Sequence, residues 1–473
     1  MLGDGTDSRQ EVLEAGGHRT QFGAGGHTDT IMDPMSPQPG PPALALLDLR
    51  GATGDLRQLL PAPEIVDDEA AAVAVREILA LVRSGGDDAL RALTERFDKV
   101  LIDDVRVPQE DLKAGLDEIP PVLREALEAA QDNIAAYHRT QLQPDARHER
   151  DGVVVRDLRR PVDRAGLYVP GGLAPLASTV LMTAAPARAA GVPRLAMCTP
   201  PGPDGRIPPA IRAAAAIAGV DEVFRVGGAQ AVAALAYGTE SVAPVDVIAG
   251  PGNRYVAIAE RMVAGEGAVG VPSAFTGPSE VAVIADATTP VEYAAIDLVV
   301  QAEHGPDGLS YLITWSEEAA TRITAEVGRL VAASPRRQEV AATLAKGGFC
   351  VLVDGPEQAM AVANAVAAEH LEILSDDPES LVPLIRCAGA VFLGPWAPAS
   401  VGDYVAGPNH VLPTARSARF GSALRVDDFC KHIHVVELDR AALERLAPHV
   451  EAIAGSEGLA AHAESVRIRT RDA

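Results

Sequence analysis

Two pairs of polar residues are spaced for chemistry. Gln301 and His304 stand three apart at the end of a helical run over 290–304, so they share one face of its last turn. An imidazole nitrogen and an amide oxygen on one face form a donor mix that suits zinc or manganese. Glu369 and His370 close a second, Ala-rich helical run. Adjacent helical residues do not face one another, so this pair reads as two acid–base groups aimed at different atoms of one substrate rather than as a dyad. Taken alone, each pair also reads as an ordinary helix end, where a solvated histidine complements the dipole. Further on, glycines and prolines bracket Asp403 and His410 in a stretch, 402–414, without secondary-structure period. Loops of that kind carry function more often than packing. Glu457 and His462 lie near the end of the chain.

Three turns add a second kind of signal: Tyr168-Val-Pro-Gly-Gly, Gly227-Gly-Ala-Gln230 and Gly250-Pro-Gly-Asn253. Each sets glycines, which admit close backbone approach, beside one polar or aromatic side chain. Each also follows an apolar strand, and open α/β sheets bind ligands beyond the carboxyl ends of their strands. Three on one edge suit an elongated cofactor. Gly265-Glu-Gly-Ala-Val-Gly matches a dinucleotide fingerprint but follows a helical run and precedes Pro272, so that match is rejected.

The elements that must position these residues alternate. Strands are expected near 165–170, 194–199, 222–227 and 245–250, then near 280–286, 309–315, 348–354 and 390–394, with helices between most of them. Apolar strands alternating with helices give parallel sheets covered on both faces. The expectation is an α/β chain of two doubly wound, Rossmann-like parallel-sheet lobes with an N-terminal helical segment and a small C-terminal dimerisation arm. The boundaries are a disordered extension over 1–41 (with His18 and His27), the helical segment over 42–163 packing on the second lobe, a first lobe over 164–278, a second over 279–424, and the arm over 425–473. Within these, helices are expected over 67–83, stopped by Gly85-Gly86, and over 121–141, and a strand over 432–438.

Composition narrows the class. Of 473 residues, 47% are apolar and 4% aromatic, which fits a globular α/β enzyme packed on small aliphatics. A net charge of −24 repels phosphates, which argues against nucleic acid and anionic membrane as partners. The four cysteines form no CxxC pair and read as buried free thiols of a reducing cytoplasm. No uncharged apolar run is long enough to span a bilayer, and the acidic N-terminus does not read as a secretory signal.

Taken together, these segments resemble the histidinol dehydrogenase family. Tyr168-Val-Pro-Gly-Gly, Gly227-Gly-Ala-Gln-Ala, Gly250-Pro-Gly-Asn, Gly277-Pro-Ser-Glu, Gln301-Ala-Glu-His-Gly, Glu369-His-Leu-Glu, Gly402-Asp-Tyr and Gly407-Pro-Asn-His-Val-Leu-Pro-Thr stand in the family's order, from about residue 47 to the end. The resemblance implies a cytoplasmic enzyme that oxidises L-histidinol through its aldehyde to L-histidine with two NAD+. It implies one zinc per subunit, with manganese also suited to the donors, held by Gln301, His304, Asp403 and His462. His462 then comes from the other subunit of a homodimer with shared sites. Glu369 activates water and His370 takes a proton. The substrate is held by Ser279, Gln301, His304, His370, Asp403, His410, Glu457 and His462, and NAD+ contacts Tyr168, Gln230 and Asn253. Two alternatives use the same residues: a dehydrogenase of another amino alcohol or diol, and a zinc hydrolase with Glu369 as base. The hydrolase leaves the three glycine turns without a purpose.

Overall fold

The first described strand, β1 (Ala45–Asp48), belongs to a sheet whose other members come more than two hundred residues later. The computed structural model describes residues 44–61, 69–171, 175–272, 277–303, 305 and 307–471. The extension over 1–41, with His18 and His27, and also Gly172 and His304, lie outside the described residues.

Helix α1 (Glu69–Asp98) buries Val75, Ile78, Leu79, Val82, Leu90 and Leu93 at helical spacing. The glycine pair expected to end it kinks it instead, at Gly86 (φ 51°, ψ −135°). The chain restarts because Asp87 is anchored. Its N–H donates to Glu240 at 2.8 Å, and its carboxylate accepts from Thr239 and Ser241. There follow β2 (Arg106–Val107), α2 (Gln109–Glu118), α3 (Pro121–Arg139) and a hairpin of β3 (Ala146–Arg150) and β4 (Val153–Pro161). The hairpin is absent from the sequence expectation because every residue of β3 is exposed, which leaves no apolar alternation to read.

The first α/β series runs β5 (Arg164–Tyr168), α4 (Ala177–Ala190), β6 (Arg194–Cys198), α5 (Pro209–Ile217), β7 (Glu222–Phe224), α6 (Gly228–Tyr237), β8 (Val247–Ala249) and α7 (Arg254–Gly265). Its sheet has the order β2-β7-β6-β5-β8 and is parallel except for β2. The second series runs β9 (Glu280–Ala285), α8 (Val291–Ala302), β10 (Leu309–Thr314), α9 (Glu317–Ala333), α10 (Arg337–Gly347), β11 (Gly348–Leu352), α11 (Pro356–Val366), β12 (His370–Ile373), β13 (Ala390–Leu393) and α12 (Ala399–Tyr404). Its order is β1-β11-β10-β9-β12-β13, all parallel. In each sheet the chain winds outward from one strand and then jumps back across it. The reversals fall between β5 and β8 and between β9 and β12.

Helices α1, α2 and α3 pack on α6 and α7, on α5 and on α4, so the N-terminal helices cover the first sheet. The expectation that they pack on the second lobe is corrected: what goes there is the stretch before α1, with β1 as an edge strand beside β11 and the turn Leu56–Gln58 against α11. The chain ends with β14 (Cys430–Leu438), α13 (Arg440–Ser456) and α14 (Ala460–Thr470). β14 pairs antiparallel with β4 along nine residues, extending the expected strand by two residues at its start. All four cysteines are free, with Cys198 and Cys350 buried and Cys387 and Cys430 half-buried. No helix among the described residues is long and apolar enough to cross a membrane.

Glycine is required where β8 turns beneath β5. At Gly250 φ is +141°, and an added Cβ would lie 2.1 Å from the Tyr168 carbonyl oxygen. Gly250→Ala is expected to destabilise the protein by at least about 1–3 kcal/mol. Gly328→Ala, inside α9 with open space around it, is expected to stabilise by about 0.5–1 kcal/mol. Denaturant or thermal midpoints check both; equal effects would contradict the assignment of strain to Gly250.

Candidate active site

The polar residues of the second series gather at the amino edge of its sheet. Ser279 precedes β9, Glu280 opens it, and His370 opens β12 opposite Val281. Gln301 lies in the last turn of α8, which runs back along the sheet and leads into β10 at the same edge. Glu369 and His370 were expected to end a helix. Instead α11 stops at Val366, Ala367 turns the chain with φ +51°, and His370 enters the sheet. The residues after it, Leu371, Glu372 and Ile373, are all buried in the strand, the acid included. Asp403 was expected in a loop, yet it sits on the short helix α12.

His370 is the centre of the arrangement. It is 5% exposed, its Nε2 lies 3.2 Å from Asp403 Oδ1, and its Nδ1 lies 3.9 Å from Glu369 Oε2. The histidine is therefore coupled to Asp403 more closely than to its chain neighbour. Burial pushes the imidazole pKa down, but the hydrogen bond to Asp403 and the charges of Glu369 and Asp403 outweigh it, so the pKa is held above the ordinary value. Glu369 is buried and accepts from the Glu280 N–H at 3.2 Å, while its carbonyl accepts from Ala390 N–H at 2.8 Å. The Glu280 carboxyl is pushed up to about 8, first by burial and then by the Glu369 charge. Both influences favour its protonated form beside Glu369.

The stretch after α12 is pinned from several sides. His410 Nδ1–H donates to the Asp403 carbonyl at 2.8 Å, which leaves Nε2 as the acceptor facing the Thr179 hydroxyl at 3.4 Å. Burial pushes the His410 pKa down, consistent with a neutral ring. Asn409 donates to the Met182 carbonyl at 2.6 Å, and Asn133 donates to the Val405 carbonyl at 2.9 Å. Thr179 and Met182 belong to α4, which follows the Tyr168 turn. The amino edge of the second sheet is thereby tied to the carboxyl edge of the first.

At that carboxyl edge the three turns stand as expected, but their side chains are used internally. Tyr168 is 3% exposed, and its hydroxyl accepts from Gly228 N–H at 3.0 Å. Gln230 is buried, and Asn253, which is exposed, caps α7 by accepting from Tyr255 N–H and Val256 N–H. Gly265 ends α7 and no strand precedes it, so the rejected fingerprint indeed lacks its context.

Glu457 and His462 are exposed on the C-terminal helices, which pack on one another and follow the β14–β4 pair. Within one chain they are not brought to Gln301, His370 and Asp403. Among the described residues no three His, Cys, Asp or Glu side chains cluster as a metal site; His304 falls outside that set. Sequence reasoning gave no role to three acids found here: Glu280 and Glu372, both quoted within motifs, and Asp297. Burial of the two glutamates was the missing signal, whereas Asp297 is half-buried and lies four residues before Gln301, on the same helical face.

Comparisons with known proteins agree on one relationship. The model of the family described as histidinol dehydrogenase matches residues 63–470. The histidinol dehydrogenase of Parasynechococcus marenigrum is 46% identical over 429 residues, covering 90% of this chain and 98% of the relative. That of Methanothermobacter thermautotrophicus is 45% identical over 408 residues, covering 86% and 95%. The crystal structure of histidinol dehydrogenase from Elizabethkingia anophelis superposes with a TM-score of 0.86 at 33% identity, covering 91% of this chain and 98% of that one.

In metal-free protein the His370 ring is expected to titrate above the ordinary histidine range. Asp403→Asn should lower its midpoint, because burial then meets less opposition. The sign follows from the raised value: the pairing stabilises the fold at acid pH and is lost as pH rises through the raised pKa. Histidine-labelled NMR titration reads it, and an unchanged midpoint in the Asn variant would count against the pairing.

Proposed function

The chain belongs to the histidinol dehydrogenase family, and from that premise we propose that its site performs two successive NAD-dependent oxidations, of L-histidinol to L-histidinaldehyde and on to L-histidine, the closing steps of histidine biosynthesis. The observation that carries the reading is the buried His370 held between Glu369 and Asp403. Alcohol oxidation needs a base for the hydroxyl proton as hydride leaves. An imidazole whose pKa lies close to working pH is suited to it. His370 accepts that proton, and because only the neutral ring can, activity falls in acid. The second oxidation needs water added to the aldehyde, and in this reading Glu369 activates it.

The donor chemistry fits a zinc site. The Gln301 carboxamide is 4% exposed with Nε2 unpartnered, and Asp403 supplies a carboxylate close by His370. Zinc would be held by Gln301, His304, Asp403 and His462 of the partner subunit, and when bound it anchors the substrate's imidazole and amine as a template. His410 positions Asp403 through its carbonyl, and Ser279, together with the partner subunit's Glu457, would complete the substrate contacts.

NAD+ would lie along the carboxyl edge of the first sheet. Since Tyr168 and Gln230 are buried, their part is to hold the glycine turns in shape for it, while Asn253 stands exposed at the start of α7. The hydrolase alternative leaves this edge without a role.

A homodimer with crossed arms is supported by apolar surface. On the arm Val436, Ile453 and Leu459 are exposed, and around Gln301 and Asp403 so are Ile296, Val300, Trp396, Val401 and Tyr404. Paired apolar patches of this kind mark association.

Incubation with L-histidinol and NAD+ should yield two reduced cofactors for each histidine. No reduction would refute the reading, and one reduction with accumulating aldehyde would remove Glu369's assigned role. Mixing inactive His462→Ala and His370→Ala proteins should restore turnover once subunits exchange; proven exchange without recovery would rule out the shared site.

A further inference from the structure

Behind the residues assigned to zinc and substrate lies a second layer of acids. Glu372 is two residues beyond His370 on β12 and is wholly buried. Its Oε1 accepts from the Ala399 N–H at 3.1 Å, at the start of the helix that carries Asp403. Its side chain also meets that of Asp297, on the α8 face that carries Gln301. No N–H or hydroxyl reaches Glu372 Oε2. Asp297 is half-buried, and two ionised carboxylates only accept hydrogen bonds, so close contact between them is repulsive unless one carries a proton. Burial raises the pKa of both acids, in keeping with that.

We propose that Asp297 and Glu372 are positioning residues: a carboxyl pair sharing one proton that fastens α8, β12 and α12 together, and so sets the separation of Gln301, His370 and Asp403. The α8 contact fixes the helix that ends in Gln301. The Ala399 contact fixes α12 one turn before Asp403. Neither acid reaches the reacting atoms; they act through the side chains they align, as outer partners of metal ligands do. The metal consequence rests on the zinc reading above, whereas the shared proton does not.

The test therefore has two arms. Infrared difference spectra of metal-stripped protein should show a protonated-carboxyl band lost in Glu372→Gln and lost equally in Asp297→Asn, because an amide at either position supplies the donor and leaves the other acid ionised. A wild-type-minus-Asp297→Asn difference spectrum showing no lost protonated-carboxyl band would overturn the sharing, bands from other buried acids such as Glu280 cancelling in the difference. In zinc-loaded protein, chelator competition should show Glu372→Ala weakening zinc by about 10–100-fold, the range for lost outer partners. Glu372→Gln, which keeps the acceptor for Ala399 and gains a donor for Asp297, should restore affinity to within about threefold of wild type, well inside that range. Wild-type zinc affinity in Glu372→Ala would overturn the positioning role. Failure of the wild-type protein to bind zinc would instead defeat the zinc reading, with the infrared arm still deciding the proton. Should the alanine variant not fold, the two amide variants carry the decision.

Discussion

A buried imidazole loses basicity unless anionic groups are brought beside it, and His370 meets that constraint with two carboxylates. Asp403 lies 3.2 Å from one ring nitrogen and Glu369 3.9 Å from the other. Neither distance is available from local chain geometry alone. Glu369 is next in sequence, but its position is set by the Glu280 N–H and by β13 alongside. Asp403 arrives from a helix more than thirty residues later. The sheet and its neighbouring helix must therefore form before the ring has its partners.

The segment 402–414 is where the two sheets become one site. Gly402 lies so close to Phe392 that an added Cβ would stand 2.4 Å from its ring, and Gly407, at φ +114°, lets the chain pass tightly over α3. From there Asn409 binds α4, and His410 reads back to Asp403. The result joins the amino edge of one parallel sheet to the carboxyl edge of the other. Sheet topology predicts ligands beyond carboxyl ends. The glycine turns of the first sheet stand at that edge, whereas the second sheet sets Glu369 and His370 at its amino edge, tied to the first through the segment 402–414.

Buried acids shape the electrostatics around this seam. Glu280, Glu372 and Asp297 have their pKa values raised, with burial as the first cause in each. Neutral carboxyls donate as well as accept, so they can tie elements together without adding charge. In a chain of net charge −24, the raised pKa values limit how much negative charge gathers around His370. The same logic turns apparently redundant acids into structural ones.

Much of this was legible in the sequence. Apolar strands alternating with helices located eight strands of the two parallel sheets, and the polar residues of Gln301, Glu369-His370, Asp403 and His410 stood out by spacing and by their glycine-rich surroundings. Strand β3 did not, because all its residues are exposed, nor did β4, whose residues are nearly all half-buried without alternation, and β12 did not, because its four residues follow directly on an Ala-rich helical run. The N-terminal helices were recognised but assigned to the wrong sheet, since an amphipathic pattern states that a face is buried and not against what. The sequence by itself determined which side chains can do the chemistry, because residue type and local spacing are one-dimensional facts. Only the tertiary structure decided which of them meet: His370 with Asp403, and Glu372 with Asp297. Those contacts join residues far apart in the chain, and their chemistry depends on how little water remains between them.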